Sequence, residues 1–332
     1  MQPLNSPLRL PEAEKKSTDA SIVNFAQAWA KKYVQNLESE DNILAIKIGR
    51  SQVAKILQES LRSTSLDAWY KTERLISKEM KRHQINPRLV DPWHITEDSF
   101  RVFEKVIEVY AKQASPQRLA IVIGSDVGGI RKKYTAEDPR IIGFVSMQFH
   151  YTGQILLSNI PESERDSVRQ YFKVIDDHLY MPLQRAYDAA ANYDFDSPIL
   201  AVVQKLLPLS REIAIRICER VITLYSNYAT YSGNLSEPVV KIATIRDVEM
   251  FQVYLWVCVL EQSIAAVQQE LFPLAVMLYP TLKVRWELVR QMIHLLKVEI
   301  KSCLGPKELS IFAPYLEVLW EMFSPEIFPD TL

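Results

Sequence analysis

The sequence predicts an all-α protein. Only eight glycines occur in 332 residues, too few for the many turns of a strand-rich fold of this length. Apolar residues recur three and four apart in one segment after another, the spacing of a helical face. Pro161 and Pro182 fall where one helix would start and another would bend. With 48% hydrophobic and 24% charged residues, the chain is long enough for two domains of ordinary size.

Taken in order, Met1 to Asp19 is rich in Pro, Ser, Glu and Lys, has no apolar core of a secretory signal, and reads as a disordered tail. Phe25, Ala26, Trp29, Ala30, Tyr33, Val34 and Leu37 then share one face of an amphipathic helix, with Lys31, Lys32 and Gln35 between them. Two less regular helical segments follow, Ile43 to Leu61 and Leu66 to His83, and Pro87 and Pro92 mark a connection near 85–95. Thr96 or Ser99 caps a helix carrying Phe103, Val106, Ile107 and Tyr110, which Ser115 and Pro116 end. Leu119 to Ile123 fits a short buried strand or a helix, with helix or irregular structure favoured. The Gly-Ser-Asp-Val-Gly-Gly run from Gly124 to Gly129 reads as a flexible loop or a helix fault.

A helix is expected from Asp138 and Pro139 to about Asn159. Pro161 opens the next, with Glu162 and Glu164 at its positive end, and Pro182 divides the run to Ala191. Asn192 to Pro198 is a break, followed by a helix near Ile199 to Leu206 and a new start at Ser210. Ile213, Ile217, Val221 and Leu224 share a face, as do Trp286, Val289, Ile293, Leu296 and Ile300. Met250 to Leu260 is apolar nearly all round, which suits a fully buried helix, with a buried strand as the lesser alternative. A last helix runs from Pro306 through Leu316, Leu319 and Trp320 towards Pro325 and Pro329.

Lys+Arg 39 against Asp+Glu 40, with no cluster of basic residues and interleaved aromatics, argues against nucleic acid. The longest strongly apolar stretch, Val253 to Leu260, is well short of the roughly 20 residues that span a bilayer, so no transmembrane segment is expected. Cys218, Cys258 and Cys303 are widely spaced in apolar runs and read as buried thiols of a reducing, cytoplasmic compartment.

From Ser210 to Ile300 the order of short features resembles the phycobiliproteins, the globin-like light-harvesting subunits of cyanobacteria and red algae. Tyr231-Ser232-Gly233-Asn234 stands at their glycine-containing turn. Lys241-Ile242-Ala243-Thr244-Ile245-Arg246-Asp247 resembles their basic lead into Arg-Asp, and Phe251 to Leu255 the helix beyond. Leu278-Tyr279-Pro280-Thr281-Leu282-Lys283-Val284 is similar to the turn before their last helix, which often ends in lysine where this chain has Lys297.

The resemblance implies a globin-like fold over about 161–302, with Pro161 to Ala191 as the helical hairpin used there for subunit pairing. It implies a binding protein of the phycobilisome or the thylakoid surface rather than an enzyme. One departure is decisive for the pigment: Thr244 stands where the family has its bilin-bearing cysteine, and a hydroxyl cannot replace a thiolate in forming the thioether. No cofactor is therefore expected. Arg246 and Asp247, with Tyr254 beyond, leave a noncovalent bilin or other linear tetrapyrrole open as the ligand of a sensor protein, beside the plainer reading of an ion pair.

Other chemistry has weaker support. No histidine lies between His178 and His294, so the haem ligation of an ordinary globin is absent. Asp176, Asp177 and His178, with His150 and Glu164, offer ligand types for a metal, but adjacent Asp177 and His178 point about 100° apart on a helix and no HExxH is present. The Gly124 to Gly129 run lacks the GK[ST] ending of a phosphate loop. An enzyme using His150, Asp177 and His178 is the last alternative. The belts of His150 and Tyr151, and of Tyr171, His178 and Tyr180, are candidate interface residues because such side chains tolerate partial exposure.

The organisation expected is thus a tail over 1–20, a helical N-terminal region of unknown type over 21–160, a phycobiliprotein-like domain over 161–302 and a C-terminal helix and tail over 303–332. The function expected is that of a non-pigmented accessory or regulatory protein of the antenna.

Overall fold

A computed structural model describes residues 25–31 and 49–329. The tail, and Tyr33, Val34 and Leu37 of the first amphipathic pattern, lie outside the described residues. Residues 25–31 form helix α1, with Phe25 and Trp29 buried.

Helix α2, Gly49–Arg82, is one continuous helix where two segments were expected. The polar run around Ser60 to Ser65 reads as a break, but its hydroxyls donate back to the preceding turn, Ser60 to the Ile56 carbonyl and Ser65 to the Leu61 carbonyl, each at 2.9 Å. Helix α3, Pro92–Ala111, starts a turn before the expected caps. The Asp91 carboxylate accepts the N–H groups of Trp93 and His94 at 2.9 and 3.2 Å, so Thr96 and Ser99 are interior residues.

Helix α4, Pro116–Thr135, runs unbroken through the glycine-rich segment expected to be a loop or fault. The reason is close packing. A Cβ on Gly128 would lie 2.7 Å from Cβ of Gln184, and one on Gly124 would lie 3.3 Å from the His178 ring. Asp138 caps a short 3-10 turn, Pro139–Ile141, before α5, Ile142–Ser158.

Helix α6, Glu162–Tyr180, has Pro161 before it and Glu162 and Glu164 in its first turn. Pro182, which has no N–H to give, separates it from α7, Leu183–Ala190. Helix α8, Pro198–Leu206, and α9, Ser210–Leu224, follow the expected break. A two-residue hairpin pairs Ala229 with Asn234 and Thr230 with Gly233, whose φ of +128° favours glycine.

Helix α10, Pro238–Glu261, buries every residue from Met250 to Leu260. Its inward Gln252 donates to the Ser210 carbonyl at 2.9 Å. A π-helical turn, Ala266–Leu271, leads into α11, Phe272–Thr281. Helix α12, Trp286–Cys303, passes Lys297 by more than a turn, so that lysine does not end it. Helix α13, Pro306–Met322, is the last. Cys218 and Cys258 are buried as expected, whereas Cys303 is half-exposed at the α12 terminus.

In the N-terminal group α2 packs on α3 and α5, and α4 and α5 both pack on α6. In the C-terminal group α10 is central, touched by α7, α8, α9 and α13, and α12 lies between α9 and α13. The groups meet where α4 crosses α7 and where α11 packs on α2 and α5, and one apolar core runs through both. Residue 160 falls in the turn between α5 and α6.

Candidate functional site

The Arg-Asp pair lies in the first half of α10, on the side that faces α5 and α6. Arg246 is the hub. Its guanidinium carbon sits 4.1 Å from the centre of the Tyr180 ring, and Nη1 is 3.8 Å from Oδ2 of Asp176 one turn earlier on α6. A cation over a tyrosine face contributes about 0.5–2 kcal/mol, more as water is excluded. The buried Nε of Arg246 has no hydrogen-bond partner among the described residues. Asp247 adjoins the buried Tyr279 of α11. Thr244, nearly two turns into the helix, donates its hydroxyl to the Val240 carbonyl at 2.9 Å and is itself buried.

Helix α5 closes this face. His150 is near enough to Arg246 to feel its charge, and burial first, then that charge, push its pKa down to about 3. The ring of His150 is 5.6 Å from that of Tyr151, and Lys71 of α2 reaches to 6.0 Å over the Tyr151 ring. Burial raises Asp176 to about 6, opposed by Arg246, and raises Asp247 to about 6, opposed by Arg246 and Tyr279. Burial also raises the Tyr180 phenol. A neutral imidazole, a neutral phenol and two weakened acids therefore surround one permanent cation.

His150, Tyr151 and Tyr180, read from sequence as interface candidates, thus gather with Arg246 and Asp247, read as ligand-binding. Tyr254 does not join them. Two turns further on, its hydroxyl meets buried Arg131 and lies 3.5 Å from Glu270. Arg131 also donates to Glu270 at 2.9 Å and to the Leu179 carbonyl at 2.5 Å, and Arg185 bridges Glu270 to Glu261. This buried network ties α4, the end of α6, α7 and α10 to the π-helical turn.

Tyr171 is at the middle of α6, more than two turns before Tyr180, where its hydroxyl donates to the Ala114 carbonyl at 2.5 Å and its ring meets Tyr110 edge-on. His178 faces α4, with Nδ1 2.8 Å from the Val174 carbonyl. Asp177 pairs with Lys173 at 2.7 Å. The trio of His150, Asp177 and His178 therefore points to three different partners. Among the described residues no group of three or more His, Cys, Asp or Glu is placed to hold a metal ion. Asp176, read from sequence only as a metal-ligand type, and Tyr279, read only as part of a turn motif, are the residues that sequence reading did not bring to this site. The signal for Asp176 was its position four residues before Tyr180 on α6.

Two surface clefts of about 380 and 370 Å³ are lined by residues of α3 and α4, and of α12 with Tyr225 and Trp320. Neither includes Arg246, Asp247 or Tyr254. Among the described residues no helix is long and apolar enough to cross a membrane.

A family model described as Phycobilisome protein matches residues 173–322. No curated protein and no solved structure matches the chain. The matched residues run from the second half of α6 to the end of α13 and include Thr244, Arg246 and Asp247, whereas α5, with His150, lies before them. Over residues 173–322 the chain is thus similar to the phycobilisome protein family, as the order of its sequence motifs implied.

Proposed function

We propose that this is a non-pigmented accessory or regulatory protein of the light-harvesting antenna, one that binds protein partners and catalyses nothing. The observation that carries this reading is the engagement of Arg246 by the chain's own side chains. Tyr180 lies under it, Asp176 is within ion-pair distance, and His150, on a helix outside the family match, is near enough to feel its charge. In this reading the Arg-Asp pair, which the resemblance implies would hold a pigment's propionate and pyrrole nitrogens, serves an internal junction. Thr244 points the same way, since its hydroxyl offers no thiolate and is spent on its own helix. The partners in this reading are antenna subunits at the thylakoid surface.

A second reading, a sensor that holds a bilin or similar tetrapyrrole without a covalent bond, draws on the buried Arg246 Nε, which has a hydrogen bond to give. One experiment separates the two. The tagged full chain is purified from its native cells, its visible spectrum recorded, and the measurement repeated after acid-urea denaturation and desalting. The accessory reading expects a colourless chain, or colour that runs with antenna subunits on a gel. Visible absorption carried by this chain alone and lost on denaturation would overturn it in favour of the sensor.

A further inference from the structure

The corner between α3 and α4 holds a cleft that none of the chemistry above uses. Its lining is apolar at Val109, Ala114 and Val122 and cationic at Lys105, Lys112 and Arg118. Just outside it Ile121 is 71% exposed, and Val122 is 42% exposed, on the same face of α4 as Arg118. These two adjacent aliphatic side chains continue the apolar lining of the cleft onto the surface of α4.

The corner is closed by its own hydrogen bonds. Gln113 takes a left-handed φ of 57°, and the Ala114 N–H returns to the Val109 carbonyl at 3.2 Å, closing the end of α3. Tyr171 then fixes Ala114 from below by accepting nothing from it and donating to its carbonyl at 2.5 Å. A preformed cleft loses little entropy when a partner enters.

The charges select the occupant. Glu108 is the one acid among the lining residues, and it is already drawn to Lys112 at 3.6 Å; Lys105 reaches Asp126 at 2.5 Å. Both pairs are exposed, where such bridges contribute about 0–1 kcal/mol and exchange readily for a partner's carboxylate. The wider surface agrees. Residues 49–172 carry 19 Lys and Arg against 15 Asp and Glu, and residues 173–329 carry 14 against 18, so the cleft lies on the basic side of the molecule. At about 380 Å³ it is near the lower end of the roughly 300–1,000 Å³ of ligand pockets, a size for a few side chains.

We propose that this cleft docks an acidic, apolar-faced segment of a partner protein, with aliphatic side chains on Val109 and Val122 and carboxylates on Lys105, Lys112 and Arg118. It rests on the binding role proposed above and names the surface and the partner's chemistry. A zero-length carbodiimide crosslinker, which joins lysine amines directly to carboxylates, tests it on the tagged full chain in an extract of its native cells. The expected result is Lys105 or Lys112 joined to an Asp or Glu flanked by apolar residues in another protein. Arg118→Glu, which leaves both amines in place, should lower that product at least tenfold, and Lys55→Glu, a charge reversal on exposed α2, should leave it unchanged. Crosslinks confined to Asp126 and Glu108 of the same chain, crosslinks to a second copy seen on mixing labelled and unlabelled chain, or a product insensitive to Arg118→Glu would each overturn the proposal. A crosslinked partner foreign to the antenna would keep the cleft and overturn the antenna role. Antenna subunits that copurify undiminished with Arg118→Glu would do the reverse.

Discussion

Burial first, and Arg246 second, set the protonation of His150, Asp176 and Asp247, and each effect has a sign that can be measured. His150, held near 3, is neutral in the folded chain while its unfolded counterpart takes up a proton near 6.5, so it costs stability as pH falls from about 6.5 towards 3. Asp176 and Asp247, raised to about 6, keep protons that the unfolded chain releases above about 4. They add stability as pH falls from about 6 to 4 and partly offset the histidine. In Arg246→Met the cation that lowers all three is gone, and NMR titration should find the His150, Asp176 and Asp247 midpoints all moved upward. A His150 midpoint still near 3 would mean that burial alone sets it. Arg246 and Asp247 were legible in sequence because a motif carries them in fixed order. That His150 serves the same site was not, since nearly a hundred residues separate it from Arg246 and only the packing of α5 on α6 brings them together.

Helix α4 makes the comparable case for an element. Glycine is a poor helix former, by about 1 kcal/mol against alanine, so three of them in six residues argue locally for a loop. Two are there for contact and one is not. Gly128→Ala should destabilise the protein by about 1–3 kcal/mol, because its new methyl would meet Gln184 at 2.7 Å. Gly129→Ala, with nothing within 4 Å, should stabilise by about 0.5–1 kcal/mol. Thermal or urea unfolding of the two variants checks both signs, and equal effects would refute the account of close approach. The same limit explains the merged α2. Periodicity and proline placed most helices within a turn, but whether a serine run or a glycine run ends a helix depends on what packs beside it, and that is tertiary information.

For the molecule as a whole, the helical class and the likeness of the C-terminal part to the phycobilisome family were readable, while the relation between the two groups was not. Gly143 of α5 shows why: a Cβ there would stand 2.5 Å from the Met277 methyl of α11, so the groups are fitted to each other with no space between them. A fragment of 161–332 would bare the faces of α6, α7 and α11 that α2, α4 and α5 cover. We expect it to lack a cooperative thermal transition and near-ultraviolet dichroism, and a sharp two-state unfolding curve would show that it folds alone. The uneven division of charge between the two groups has a consequence of its own. A chain of formal net charge −1 is close to neutral, yet with its excess cations on one side and its excess anions on the other it is a permanent electric dipole. In the field of an acidic surface it turns before it touches, presenting α3 and α4 first, and at physiological salt that torque acts only over about the last 8 Å of approach.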